Sequence, residues 1–316
     1  MTPEEQRRHI EFVRNLCKPG GALDKDSPHA TVNNPDWYRS NGLPRMVRRI
    51  VHDRIKAELI SRAAGARQEG RALVLAGPPG AGKGRVADAV LGSSRAHYVN
   101  IDADEVKQLL LREAIADGSY EVWIKPEAVR DLEAQGERFY PLELASLVHE
   151  ESSRLAVALR EDLIDTRTNI IVDTVLGDEA SAQKLGEQLA AAGYTVTVVD
   201  VEVPFEVSEA RIEQRWQEAM QEVDGAANAL GGRWVPSAYT RPLFDTEHGR
   251  SKCQDVAERL ATACPVVMRY ERHYTSLAEH RAALLDRRKS QPVLEVRRAR
   301  KGRGAPLETP GSTRPE

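Results

Sequence analysis

The chain has 316 residues, 41% of them hydrophobic and 29% charged, with a formal net charge of −3. That length supports a full core, and the near-balanced charge excludes a whole-molecule electrostatic claim on nucleic acid, leaving only local basic patches. The start, "MTPEEQRRHIEF", lacks the apolar core of a secretory signal, and no run approaches the ~18–20 apolar residues of a membrane span. Cys17, Cys253 and Cys264 are scattered without zinc spacing, so reduced thiols, no membrane and a cytoplasmic location are expected.

In chain order, residues 1–45 are polar and broken by Pro19, Gly20, Gly21, Pro28, Pro35 and Pro44, which reads as an irregular, partly helical extension. From Met46 a helical period begins. Met46, Val47, Ile50, Val51, Ile55, Leu59 and Ile60 make one apolar stripe for the core, with Arg48, Arg49, Lys56 and Arg62 on a solvated face. Strands and helices then alternate. Strands are expected at 71–77, 97–102, 169–175, 195–203 and 265–271, and helices at 83–91, 104–116, 141–167, 179–193 and from 206 to about 222. This alternation predicts an α/β domain over 46–285, a mainly parallel sheet with helices on both faces. Ligands of such sheets bind beyond the carboxyl ends of the strands. Residues 286–316 form a basic tail: eight Lys or Arg stand against Glu295 alone in 287–303, and disorder is expected, with nucleic acid or an acidic partner as its only electrostatic targets.

The stretch "LVLAGPPGAGKGRV" follows an apolar strand and opens a helix. Gly77, Pro78, Pro79, Gly80, Ala81, Gly82, Lys83, Gly84 and Arg85 therefore read as a phosphate-binding loop. Its glycines let successive N–H groups face one concavity, the helix adds the positive end of its dipole, and Lys83 reaches the outer phosphates. Gly84 stands where such loops place the Ser or Thr that holds magnesium. The form of the loop resembles that of adenylate kinases, though Arg85 stands where they have Thr. The resemblance implies that nucleotide binding survives glycine at 84, with Mg2+ held by phosphates, water and carboxylates, Asp102 being the candidate.

Asp102 and Asp104 fall where the second strand ends and a helix begins. Phosphoryl transfer to an alcohol needs a carboxylate to accept the hydroxyl proton, and this place suits it; equally, Asp is a favoured helix cap. Both readings stand at this point.

Taken together, "GPPGAGKG", "IDADEVK", "NIIVDTVLGD", "GYTVTVVDVEVPFEVSEARIEQR" and "GGRWVP", spanning about residues 70–275, resemble the zeta toxin family of P-loop kinases. The resemblance implies a nucleotide-kinase fold that uses ATP (or GTP) with Mg2+. The acceptor it implies is a nucleotide sugar such as UDP-N-acetylglucosamine, and the partner an antitoxin protein. Matched by motif, Lys83 binds the β- and γ-phosphates, Asp104 is the catalytic base, and Arg215 and Arg233 form the phosphate clamp, with Arg211 one turn before Arg215 able to share it. Where the family often shows an acid, Gly and Thr, this chain has Asp173, Thr174 and Val175, which bears on its substrate contacts. His149, Glu150 and Glu151 are weaker pocket candidates beside the plainer reading of a solvated helix face. The alternatives are a nucleoside-monophosphate or antibiotic kinase, and a non-catalytic nucleotide-binding partner protein. The N-terminal extension reads as helices packed on the domain or as a built-in restraint.

Overall fold

A computed structural model describes residues 3–223 and 229–309. Its elements in chain order are α1 (Pro3–Leu16), α2 (Met46–Ser61), β1 (Arg71–Ala76), α3 (Lys83–Leu91), β2 (Val99–Asp102), α4 (Ala103–Ala116), α5 (Glu127–Ala134), α6 (His149–Asp165), β3 (Ile170–Asp173), α7 (Glu179–Ala191), β4 (Thr195–Glu202), α8 (Phe205–Glu222), α9 (Ser237–Thr240), α10 (Lys252–Ala263), β5 (Val267–Tyr274), α11 (Leu277–Leu285) and β6 (Val293–Ala299). The chain divides into two units. One comprises Met1–Glu58, Ala103–Ala158 and Ile212–Ala238; the other comprises Leu59–Asp102, Leu159–Arg211 and Tyr239–Glu316.

The second unit holds the sheet, in the order β2-β3-β1-β4-β5-β6. The first five strands run parallel, as their continuous apolar runs imply, and β6 pairs antiparallel with β5. Successive residues of β4 face opposite sides. Val199, Val201 and Val203 pack with Leu73, Leu75, Val86 and Ala87 beneath α3. Asp200 and Glu202 alternate with them, and Glu202 accepts hydrogen bonds from the Ser251 amide (2.9 Å) and hydroxyl (2.7 Å) at the start of α10. Burial pushes the Glu202 carboxyl up to about 7. Helices thus cover both faces of a mainly parallel sheet, and the α/β architecture expected from the alternation is the one observed.

The basic tail corrects the sequence reading. Residues 293–299 are not disordered but form β6, whose backbone fills the edge of β5. Their charges are matched: Arg297 donates to Glu271 (2.8 Å) and Arg298 to Glu258 (2.6 Å). Composition counted the cations without seeing an unpaired strand edge and acids waiting beside it. Residues 310–316 of the tail lie outside the described residues.

In the first unit the N-terminal segment is core. Ile10, Val13, Cys17 and Leu23 are buried, and His9 bonds Glu143 (2.9 Å) and Glu137 (3.2 Å). The long helix expected over 141–167 begins instead as a tighter 3-10 stretch, Pro141–Val148, before α6. Glu143 within it accepts from the Tyr140 amide (2.9 Å) and the buried Trp216 indole (3.0 Å). The stripe expected on α2 is corrected in part: Ile55 and Leu59 are buried as expected, but its first turns are not. Met46, Val47 and Ile50 are exposed, whereas Arg48 is only 2% exposed. Arg48 turns inward because a bidentate partner, Glu151, waits there at 2.5 and 2.7 Å, and its guanidinium lies over the Trp37 ring. Among the described residues no helix is long and apolar enough to cross a membrane.

Candidate active site

The glycine-rich loop expected to bind phosphate connects β1 to α3, and three backbone positions show why its glycines are there. Gly77 has φ 131°, and a Cβ there would stand 2.1 Å from the Val201 carbonyl oxygen. Gly80 (φ 76°) lies against the Ser208 carbonyl, and Gly82 (φ 96°) caps α3 in the left-handed region. The loop carbonyls are tied outward by the start of α8. The Ser208 hydroxyl donates to Pro79 (2.7 Å), and the Arg211 guanidinium donates to Gly80 (2.9 Å) and Ala81 (3.0 Å). The Gly77 and Ala81 amides donate to the Val175 and Pro78 carbonyls, so the amides placed to meet an anion are those from Gly82 to Gly84, at the positive end of α3. Lys83, the first residue of α3, donates to the Gly77 carbonyl (3.0 Å) and stands 3.7 Å from the Asp173 carboxylate.

Asp173 closes β3, and Asp102 is its register partner on β2, so two carboxylates stand side by side at the strand ends. The fit to magnesium follows from these donors and from Gly84, around whose Cβ position nothing lies within 4 Å. Mg2+ keeps several waters and takes one or two carboxylates with phosphate oxygens, which Asp102 and Asp173 can supply without a hydroxyl at 84. Among the described residues no group of three or more His, Cys, Asp and Glu gathers as a cage. Residues 174 and 175 act locally: the Val175 carbonyl accepts the Gly77 amide (3.1 Å), and the Thr174 hydroxyl accepts the Leu176 amide (3.2 Å). A backbone carbonyl does not depend on the side chain of 175, so valine there is compatible with the loop.

Two residues past Asp102 along the chain, in the other unit, Asp104 opens α4. It accepts from Lys107 (2.9 Å), one turn on, and from Arg233. Lys107 and Arg233 thus hold the Asp104 carboxylate between two cations. Arg233 is held by its neighbours. Gly231 (φ 77°) presses on Tyr140, Gly232 packs against the Trp216 backbone, and Trp234 meets the Trp216 ring edge-on at 6.0 Å. His149 belongs to the same electrostatic surroundings: burial and the Lys107 charge push its imidazole down to about 4, so it is neutral at pH 7.

The structure therefore brings Asp104 and Arg233 into one cluster and adds Lys107, which sequence reasoning passed over although its i,i+3 spacing from Asp104 was visible. Arg215 occupies an exposed position on α8. Arg211, its possible helper, engages loop carbonyls, and Arg85 donates to the Ser290 carbonyl (2.7 Å). Of the pocket candidates on α6, Glu150 is exposed and pairs with Arg154, whereas Glu151 is fully buried, which overturns the solvated-face reading for it. Burial by itself would raise the Glu151 carboxyl, but hydrogen bonds from Arg48 and His52 outweigh it and hold it at about 2. Glu151 is a structural ion-pair centre.

A family model described as "Zeta toxin" matches residues 57–122 and 122–281. No curated protein matches the chain significantly. Among solved structures, the native AvrRxo1-ORF1:-ORF2 complex is similar at 19% identity, covering 92% of this chain and 77% of that one, with a TM-score of 0.57. The AvrRxo1-ORF1:-ORF2 structure with ATP is 18% identical, covers 86% and 72%, and has a TM-score of 0.56. The PezAT toxin–antitoxin system of Streptococcus pneumoniae is 16% identical over 71% and 77%, with a TM-score of 0.46.

Proposed function

Because the chain belongs to the zeta toxin family, we propose that it is a small-molecule kinase that transfers the ATP γ-phosphate to a hydroxyl of a nucleotide-sugar acceptor, UDP-N-acetylglucosamine being the first to test. The observation that carries this reading is the phosphate loop, with its carbonyls tied to Ser208 and Arg211 and Lys83 at the head of α3.

In this reading the loop amides and Lys83 bind the β- and γ-phosphates. The carboxylate of Asp104 accepts the proton of the acceptor hydroxyl as the oxygen attacks phosphorus. Arg233 and Arg215 balance the charge that spreads over the transferred oxygens, and Lys107 keeps the Asp104 carboxylate oriented. Bound magnesium, held by Asp102 and Asp173, supplies further charge neutralisation at the phosphates. Neutral His149 offers a hydrogen bond to the acceptor. The ATP named for one similar structure, and the two-protein complexes in which these structures were solved, support ATP as the donor and an antitoxin-like protein as partner.

The test is transfer of labelled γ-phosphate from ATP with magnesium into UDP-N-acetylglucosamine, other nucleotide sugars, AMP and an aminocyclitol. Label in a nucleotide sugar, lost in Lys83→Ala and Asp104→Asn, is the expected result. Label in AMP or the aminocyclitol overturns the acceptor, and ATP binding without transfer to any acceptor overturns the kinase.

A further inference from the structure

Residues 286–309 lie beyond the family match, which ends at residue 281, yet they reach the phosphate loop. The strap between α11 and β6, residues 286–292, is fixed at one end by Glu279 in the first turn of α11. Glu279 accepts from both terminal nitrogens of Arg288 (2.7 and 3.2 Å) and from the Gln291 amide (3.0 Å). At its other end the strap continues into β6 and so into the sheet. Between these anchors Ser290 is buried at 7% exposure.

Two guanidiniums meet at Ser290. Arg211 donates to its hydroxyl oxygen (2.7 Å), and Arg85, from the first turn of α3, donates to its carbonyl (2.7 Å). The other nitrogen of the same Arg211 guanidinium holds the carbonyls of Gly80 and Ala81. A planar guanidinium with its donors in a rigid fork transmits position, since fixing one arm fixes the other. Burial and the neighbouring Arg85 charge both push the Arg211 group down from its ordinary range, so its placement depends on the acceptors around it. Those acceptors are the loop on one side and Ser290 on the other.

We infer that the C-terminal strap is a brace for the phosphate loop, with Ser290 and Arg211 as positioning residues that set the affinity for the phosphates of the nucleotide. The inference rests on the nucleotide-binding reading above. It separates two jobs that the sequence left together: Arg211 positions the loop by its carbonyls and does not join the clamp. It also gives Arg85, in the place of the adenylate-kinase threonine, a task on the strap.

The experiment is calorimetric titration of the full chain with ATP and magnesium, and separately with adenosine, for wild type, Ser290→Ala, Ser290→Thr and Arg211→Lys. Loss of one charged hydrogen bond predicts an ATP Kd raised about tenfold in Ser290→Ala and in Arg211→Lys. Ser290→Thr keeps the hydroxyl and restores wild-type affinity. Adenosine affinity stays unchanged in all variants, because the loop amides see only phosphates; a merely structural role would move both ligands together. An equal ATP Kd in wild type and Ser290→Ala, or a lower one in the variant, overturns the brace while leaving nucleotide binding intact. Equal weakening of ATP and adenosine also overturns it. Absence of ATP binding by the wild-type chain overturns the nucleotide reading, and the brace with it.

Discussion

Gly77 and Gly84 belong to one loop and answer to different constraints. Gly77 sits at φ 131° with the Val201 carbonyl 2.1 Å from where a Cβ would be, so Gly77→Ala is expected to lower the thermal midpoint and abolish ATP binding together. Gly84 has open space, so Gly84→Ser should fold normally. A serine hydroxyl there should also lower the magnesium concentration needed for half-maximal ATP binding, measured by titration at fixed ATP. Asp104 and Lys83 have different roles in the proposed transfer. Asp104→Asn is expected to lower kcat by about 10²–10⁴ with little change in ATP affinity, whereas Lys83→Ala weakens ATP binding itself. Single-turnover transfer and calorimetry distinguish the two. Lys83 and Asp104 were legible as candidates because motif and strand context sit within a few residues of each other. The roles of Ser208 and Arg211 were not, because their partners at Pro79, Gly80 and Ala81 lie far away in the chain.

At the level of elements, the first turns of α2 meet α6 by charge where the apolar stripe was expected to begin, while Ile55 and Leu59 further along α2 are buried as expected. Arg48, His52 and Glu151 meet in a buried site, with Glu151 held at about 2 against an ordinary 4.5. A carboxyl depressed by folding contributes stability that is fully present above pH 4.5 and is lost as the pH falls from 4.5 toward 2. Urea unfolding across that range should show the loss. Glu151→Gln should flatten it and lower stability by about 3–5 kcal/mol, since Arg48 is then buried without its counter-charge. His9 in α1 works with the opposite sign. Burial lowers its imidazole, but Glu143 and Glu137 outweigh that and raise it above 6.5, so its contribution is present below pH 6.5 and fades as the pH rises through the raised value. A helical period finds the faces of an isolated helix. It cannot say that an arginine on α2 will find a carboxylate 103 residues further on.

For the molecule as a whole, the described segments 3–23 and 293–299 are integral parts of its units. Removal of residues 3–16 would open the space filled by Ile10 and Val13 and strip His9 from Glu143. The expected outcome is a lower thermal midpoint or insoluble protein, and no gain in transfer activity; a gain at unchanged stability would favour a restraint instead. The sequence by itself determined the α/β class, the parallel central strands, the glycine-rich turn between β1 and α3 and the aspartates at the strand end. Each of these is written in local patterns: a short apolar run, glycines at fixed spacing before a lysine, acids where a strand gives way to a helix. Only the tertiary structure decided that α2 buries Arg48, that Lys107 joins Asp104 and Arg233, that the basic tail becomes β6, and that Ser290 reaches Arg211. Those outcomes depend on which partner a polar group or a strand edge finds across long stretches of chain. Hydrogen bonds and ion pairs act over a few ångströms in space, without regard to separation in sequence.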